Sequence, residues 1–207
     1  MDMIGFYNYS VILTYAGLAS TIFGITQVLQ GNFKIALVCL MISGMCDMFD
    51  GKVARSMERT EDEKRFGIQI DSLCDLVCFG IFPAMIGYAV GMRGPVGISI
   101  IIIYILAALI RLAFFNVMEE KRQEQTDEVR HYYRGMPVTM AALIFPFVFV
   151  IKSILDLPFL FVYAAIMLIT AFLFVFDFRV KKAGTSAMIG MAIFGVIILI
   201  RLIFCAL

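Results

Sequence analysis

Cys46-Asp47-Met48-Phe49-Asp50-Gly51-Lys52-Val53-Ala54-Arg55 is followed, after the polar stretch Ser56–Phe66, by Gly67-Ile68-Gln69-Ile70-Asp71-Ser72-Leu73-Cys74-Asp75. Four aspartates stand here in runs that are otherwise apolar. A carboxylate inside an apolar transmembrane helix costs on the order of 3 kcal/mol, and such residues usually face an interior site. Asp47 and Asp50 are three apart and Asp71 and Asp75 four apart, so each pair shares one helix face. Two helices packed along those faces bring four carboxylates together. Like charges so placed repel unless a cation bridges them, and hard oxygen donors in this number suit magnesium, manganese or calcium. Gly51, Ala54 and Gly67 lie near the acids, where small residues admit a ligand or a second backbone. The Arg55 guanidinium is suited to phosphate oxygens. A buried ion network or a cation-coupled transporter would use the same acids, and both stay open on this pattern alone.

Working outward, the surrounding chain is written for a bilayer. Of its 207 residues 62% are hydrophobic and the mean hydropathy is +0.95, where soluble domains sit at about 45–50% apolar. A hydrocarbon core of about 30 Å needs roughly 20 apolar residues per helix. Apolar runs at 9–30, 33–54, 67–90, 96–118, 137–154, 159–176 and 185–206 predict seven spans in one all-α integral membrane domain over 1–207. Gly31-Asn32, Gly94-Pro95 and Leu157-Pro158 break three of the joins. The fifth and sixth runs are short, and six spans result if they are partly re-entrant. The first segment lacks a basic region and a small-residue cleavage site, and reads as a retained span.

Charge sets the expected orientation. With the N-terminus in the cytoplasm, twelve basic residues fall on the cytoplasmic side: Lys52, Arg55, Arg59, Lys64, Arg65, Lys121, Arg122, Arg130, Arg134, Arg179, Lys181 and Lys182. Lys34, Arg93, Lys152 and Arg201 fall opposite, and Arg111 lies within a span. That asymmetry follows the positive-inside rule and puts the acidic site at the cytoplasmic face of a cell membrane. The net charge of +1 and the absence of a long basic run argue against nucleic acid as a partner. Five cysteines, all within apolar runs, read as packing residues rather than a disulfide framework.

The spacing D-x-x-D-G-x-x-A-R…G-x-x-x-D-x-x-x-D resembles the signature of the CDP-alcohol phosphotransferase family, and all eight of its fixed residues are present in order. The Ser56–Phe66 interval is longer than usual for that family, by polar residues that lengthen a loop. The resemblance implies a core of six transmembrane helices, here with one or two more, usually homodimeric, with a polar cavity open to the cytosol. It implies that Asp47, Asp50, Asp71 and Asp75 hold two divalent ions, Mg2+ or Mn2+ (with Ca2+ able to stand in), and that Asp75 is the general base. Asp47, Gly51, Ala54, Arg55 and Gly67 would bind the cytidine diphosphate. No serine, histidine or cysteine nucleophile with a partner base is present in the pattern, which favours single displacement over a covalent intermediate.

A finer likeness concerns the acceptor. Asp71-Ser72-Leu73-Cys74-Asp75-Leu76-Val77-Cys78-Phe79-Gly80, Arg111-Leu112-Ala113-Phe114-Phe115-Asn116 and Gly135-Met136-Pro137 are similar to the branch of the family that uses serine. This implies CDP-diacylglycerol and L-serine as substrates, with phosphatidylserine and CMP as products. Arg111, Asn116 and Arg134 are then the candidates for acceptor binding. Phe114 departs from the pattern, standing where that branch usually has a second arginine, so more falls on Arg111 and Arg134. Glycerol phosphate or inositol phosphate as acceptor, and an ether-lipid donor, are the alternatives within the family.

Overall fold

The computed structural model describes residues 5–6, 11–55, 60–125, 132–154, 158–181 and 185–204; within these, the side chains of 52–55, 122–125, 132–134, 153–154, 179–181 and 185–189 lie outside the described part. Helix α1 (Ile12–Leu29) turns through Gly31-Asn32 into α2 (Phe33–Arg55). Asn32 closes that turn, its backbone N–H donating to the Gln27 carbonyl at 2.9 Å and its amide to the Gln27 side chain at 3.0 Å.

Helix α3 (Glu61–Asp75) begins six residues before the apolar run does. The cause is a capping box: Thr60 accepts the Glu63 N–H while the Glu63 carboxylate accepts the Thr60 N–H at 2.8 Å. Glu61, Asp62 and Glu63 fill the first turn, where negative charge meets the positive end of the helix dipole.

A π-helical turn (Leu76–Ile81) carries α3 directly into α4 (Phe82–Ala89), making one rod from Glu61 to Ala89. Pro83 has no N–H to donate. The carbonyl of Phe79, four residues earlier, accepts instead from the Tyr104 hydroxyl at 2.6 Å. Tyr163 does the same for the Pro83 carbonyl at 2.8 Å. Helix α5 (Pro95–Gln125) has 31 residues, about 46 Å at 1.5 Å per residue, so it outruns a bilayer core of about 30 Å. Its last turns carry Glu119, Glu120 and Lys121.

Helices α6 (Ala141–Ile154), α7 (Phe159–Val175) and α8 (Thr185–Phe204) complete the bundle, α6 entered through a 3-10 turn at Val138–Met140. A short antiparallel ladder joins β1 (Tyr132–Arg134) to β2 (Arg179–Lys181), with Arg134 opposite Arg179 and Tyr132 opposite Lys181. The hydropathy pattern did not announce it, because three residues in a polar connection carry no periodicity. Gly135, at φ +74°, turns the chain out of β1, and its N–H donates to the Phe178 carbonyl at 2.8 Å.

Packing joins α1 to α2 and lays α6 behind α2. At Gly44 a Cβ would lie 2.5 Å from Cβ of Ala142, so only glycine permits that approach. The core centres on Tyr104, Phe145, Tyr163 and Phe174, with ring centroids 5.1–5.6 Å apart. Outward faces are apolar: Ile102, Ile103, Leu106 and Ile110 on α5 are exposed, and Phe161 on α7 is 74% exposed. Lipid satisfies such a surface. Among the described residues, Ile12–Leu29, Glu61–Ala89 and Pro95–Lys121 are individually long and apolar enough to cross a membrane. The protein is an all-α membrane protein.

Candidate active site

The two aspartate pairs meet. One carboxylate oxygen from each of Asp47, Asp71 and Asp75 lies within 4.8 Å of the others. Asp50 is 8% exposed; its Oδ2 accepts a hydrogen bond from Thr14 Oγ1 at 3.0 Å, and its carboxylate is beside that of Asp71. Each pair is presented by one helix face, α2 for Asp47 and Asp50 and α3 for Asp71 and Asp75. Thr14 comes from α1, outside the motif.

Charge makes the arrangement costly by itself. Two charged carboxylate oxygens within 4.8 Å of each other repel by about 3–4 kcal/mol or more at an effective dielectric constant of about 20. Among the described residues, no lysine or arginine pairs with Asp47, Asp71 or Asp75. Oxygens sharing one magnesium or calcium ion at about 2.1–2.5 Å lie roughly 3–5 Å from one another, so the three oxygens fit a divalent cation. The adjoining cleft, walled by Thr14, Gly17, Ser43, Cys46, Cys74 and Cys78, has a free volume of about 10 Å³, the size of one water or one ion. The convergent ligands are carboxylate oxygens, and the free thiols of Cys46, Cys74 and Cys78 stand in the cleft wall. That donor set favours a hard ion over zinc.

Gly51 and Gly67 are both half-buried, one residue past Asp50 on α2 and one turn before Asp71 on α3. The side chains of Ala54, Arg55 and Arg134 lie outside the described residues.

Two acceptor candidates are tied to the motif helix or its neighbours. Ser72, next to Asp71, donates from Oγ to Oδ1 of Asn116 at 2.8 Å. Arg111 is 6% exposed; its Nε donates to the Met136 carbonyl at 3.2 Å and its guanidinium carbon is 5.6 Å from the Phe115 ring centroid. Because α5 runs antiparallel to the α3–α4 rod, pairing Asn116 with Ser72 and Tyr104 with Phe79 puts Arg111 at about the level of Asp75. The backbone of Arg134 precedes Gly135, where a Cβ would lie 3.6 Å from Arg111 Nε.

Thr14 and Ser72 were not singled out from the sequence. Ser72 stands within the segment similar to the serine-using branch but was given no role, and Thr14 offered only a hydroxyl within an apolar helix, shared by Ser20, Thr21 and Ser43, whose hydrogen bonds bind α1 to α2.

The same chain region matches a family model. The model for CDP-alcohol phosphatidyltransferases covers residues 7–176, and the chain belongs to that family. Its relatives include proteins named CDP-diacylglycerol–serine O-phosphatidyltransferase. The Saccharomyces cerevisiae protein is 34% identical over 116 residues, 55% of this chain and 41% of that protein. The Mycobacterium leprae protein is 33% identical over 137 residues, 66% and 43% respectively. The Bacillus subtilis protein is 27% identical over 134 residues, 64% and 70% respectively. The chain spans less than half the length of the yeast and mycobacterial proteins it matches.

Proposed function

We propose that the protein transfers the phosphatidyl group of CDP-diacylglycerol to L-serine, releasing phosphatidylserine and CMP at the cytoplasmic face of a cell membrane. The observation that carries this reading is the convergence of Asp47, Asp71 and Asp75 from two helices, with Asp50 alongside, in a chain of this family. The names of its relatives support serine as the acceptor.

The four aspartates would hold two divalent ions, Mg2+ or Mn2+. The chemistry such ions supply is neutralisation of the diphosphate and of charge developing on the leaving oxygen. Gly51 and Gly67 would lie against the cytidine diphosphate, with Ala54 and Arg55 completing that pocket. Asp75 takes the proton of the attacking serine hydroxyl. The serine oxygen then bonds to the phosphorus that bears diacylglycerol, and the bond from that phosphorus to the bridging oxygen of CMP breaks. Arg111, at the level of Asp75, binds the serine carboxylate, joined by Arg134. Ser72 holds Asn116 through its carbonyl oxygen, and the Asn116 amide N–H groups would donate to the same carboxylate.

Purified protein given CDP-diacylglycerol and a panel of labelled alcohols tests this. Phosphatidylserine and CMP should form in equal amounts with serine, stop in EDTA and resume with Mg2+ or Mn2+. Product from glycerol phosphate or inositol phosphate, and none from serine, would reassign the acceptor. Full turnover in chelator would remove the metal mechanism.

A further inference from the structure

Helix α1 lies outside both halves of the aspartate motif, yet one of its side chains reaches the acids. Thr14 is 9% exposed, and its Oγ1 donates to Asp50 Oδ2 at 3.0 Å. A threonine in a helix commonly satisfies its hydroxyl on a carbonyl of its own preceding turn. Thr14 instead bonds a carboxylate 36 residues away. The helix that carries it is held closely against α2. At Gly17, one turn on, a Cβ would lie 3.2 Å from Cβ of Cys46. Ser43 donates to the Gly17 carbonyl at 2.9 Å and bonds Thr21 at 2.8 Å.

The consequence is for the orientation of Asp50. Its neighbour is the like-charged Asp71, and it is largely buried. Repulsion between neighbouring carboxylates favours turning them apart, and a hydrogen bond from a buried hydroxyl to one oxygen opposes that turn; a hydrogen bond to a charged group is among the stronger ones.

We infer that Thr14 is a positioning residue of the acidic site: its hydroxyl holds the Asp50 carboxylate in the orientation from which it joins Asp47, Asp71 and Asp75 around a divalent cation. The inference rests on the reading of these aspartates as a cation site. It makes α1 part of the site.

The test uses the purified full chain and manganese alone, with free Mn2+ followed by its electron spin resonance signal. Thr14→Val removes the hydroxyl and keeps the shape. It should weaken Mn2+ binding about tenfold, the worth of one hydrogen bond to a charged group. Thr14→Ser, which restores the hydroxyl, should bind as the wild type does. Ser20→Ala, which deletes a hydroxyl of the same helix bonded to the Cys39 carbonyl, should leave Mn2+ affinity unchanged. In turnover, Thr14→Val should lower kcat more than it raises the KM for CDP-diacylglycerol. Wild-type affinity in Thr14→Val overturns the inference while leaving the cation site standing. If Thr14→Val aggregates, Thr14→Ala takes its place; loss of fold by both also overturns it, since Thr14 would then act on the fold and not through Asp50. Absence of saturable Mn2+ binding by the wild type removes the reading on which the inference stands, and the inference with it.

Discussion

Arg111 shows how much a single side chain is asked to do in this bundle. A guanidinium that is 6% exposed in a transmembrane helix is expensive unless its donors are satisfied. Nε is engaged by the Met136 carbonyl, and Phe115 offers its ring to the cation. These contacts fix the stem and the plane of the group, which is the preorganisation a carboxylate partner needs. Arg111→Ala should therefore raise the KM for serine by about tenfold to a hundredfold, the worth of a charge-assisted hydrogen bond. The KM for CDP-diacylglycerol should change far less, because no step of the proposed mechanism puts Arg111 on the donor. Arg111→Lys keeps the charge but loses the planar fork, and should recover only part of the serine affinity. Equal loss for both substrates, measured by varying each at saturation of the other, would take Arg111 out of the acceptor pocket.

The α3–α4 rod is where one element decides the geometry of several residues. Asp71 and Asp75 precede a π-helical turn at Leu76–Ile81, whose signature is the Phe82 N–H bonded to the Val77 carbonyl. Such turns recur at functional sites. Here the turn is followed by Pro83, and two buried hydroxyls, from Tyr104 and Tyr163, take the carbonyls of Phe79 and Pro83. Both tyrosines are fully buried, so neither carbonyl has water as a substitute. Tyr104→Phe keeps the ring contacts with Phe145 and Phe174 and removes only the donor. Leaving a buried acceptor unpaired costs about 1–3 kcal/mol, which should appear as a lower melting temperature in detergent. An unchanged melting temperature would show that the Phe79 carbonyl finds another donor. The apolar periodicity of this segment made it a helix; it did not announce the extra residue per turn.

At the scale of the molecule, the helices alternate so that, among the described residues, the strongly polar helix ends fall together at one end. The C-terminal end of α2, the capped start of α3, the overlong end of α5 and the β1–β2 ladder share that end. Lys52, Arg55, Lys64, Arg65, Lys121, Arg134, Arg179 and Lys181 lie there too, and Arg93 marks the other end in the exposed turn between α4 and α5. On the proposed orientation, the positive-inside rule would put the aspartate site towards the cytoplasm. Ser56→Cys should stay unlabelled by an impermeant maleimide in intact cells and react after permeabilisation. Gly94→Cys should react from outside. The opposite pattern would invert the topology and, with it, the side from which substrate is drawn.

Much of this was legible in the chain. Periodicity is local: residues three or four apart share a helix face whatever the helix meets, so the pairing of Asp47 with Asp50 and of Asp71 with Asp75 follows from spacing alone. Membrane residence follows from composition in the same way, since 62% hydrophobic residues cannot be buried in a chain of this length. Even the early start of α3 was written in Thr60 and Glu63, a capping signal that hydropathy overlooks. What packing alone decided are contacts between distant segments: Thr14 with Asp50 across 36 residues, Ser72 with Asn116 across 44, and Tyr104 with Phe79 across 25. Each depends on which helix lies against which, at what register and how closely. Hydroxyls on an apolar helix leave those choices open, because a threonine reads the same whether it bonds its own backbone or a neighbour's carboxylate. For Thr14, the close contact of α1 with α2 at Gly17 is what commits it.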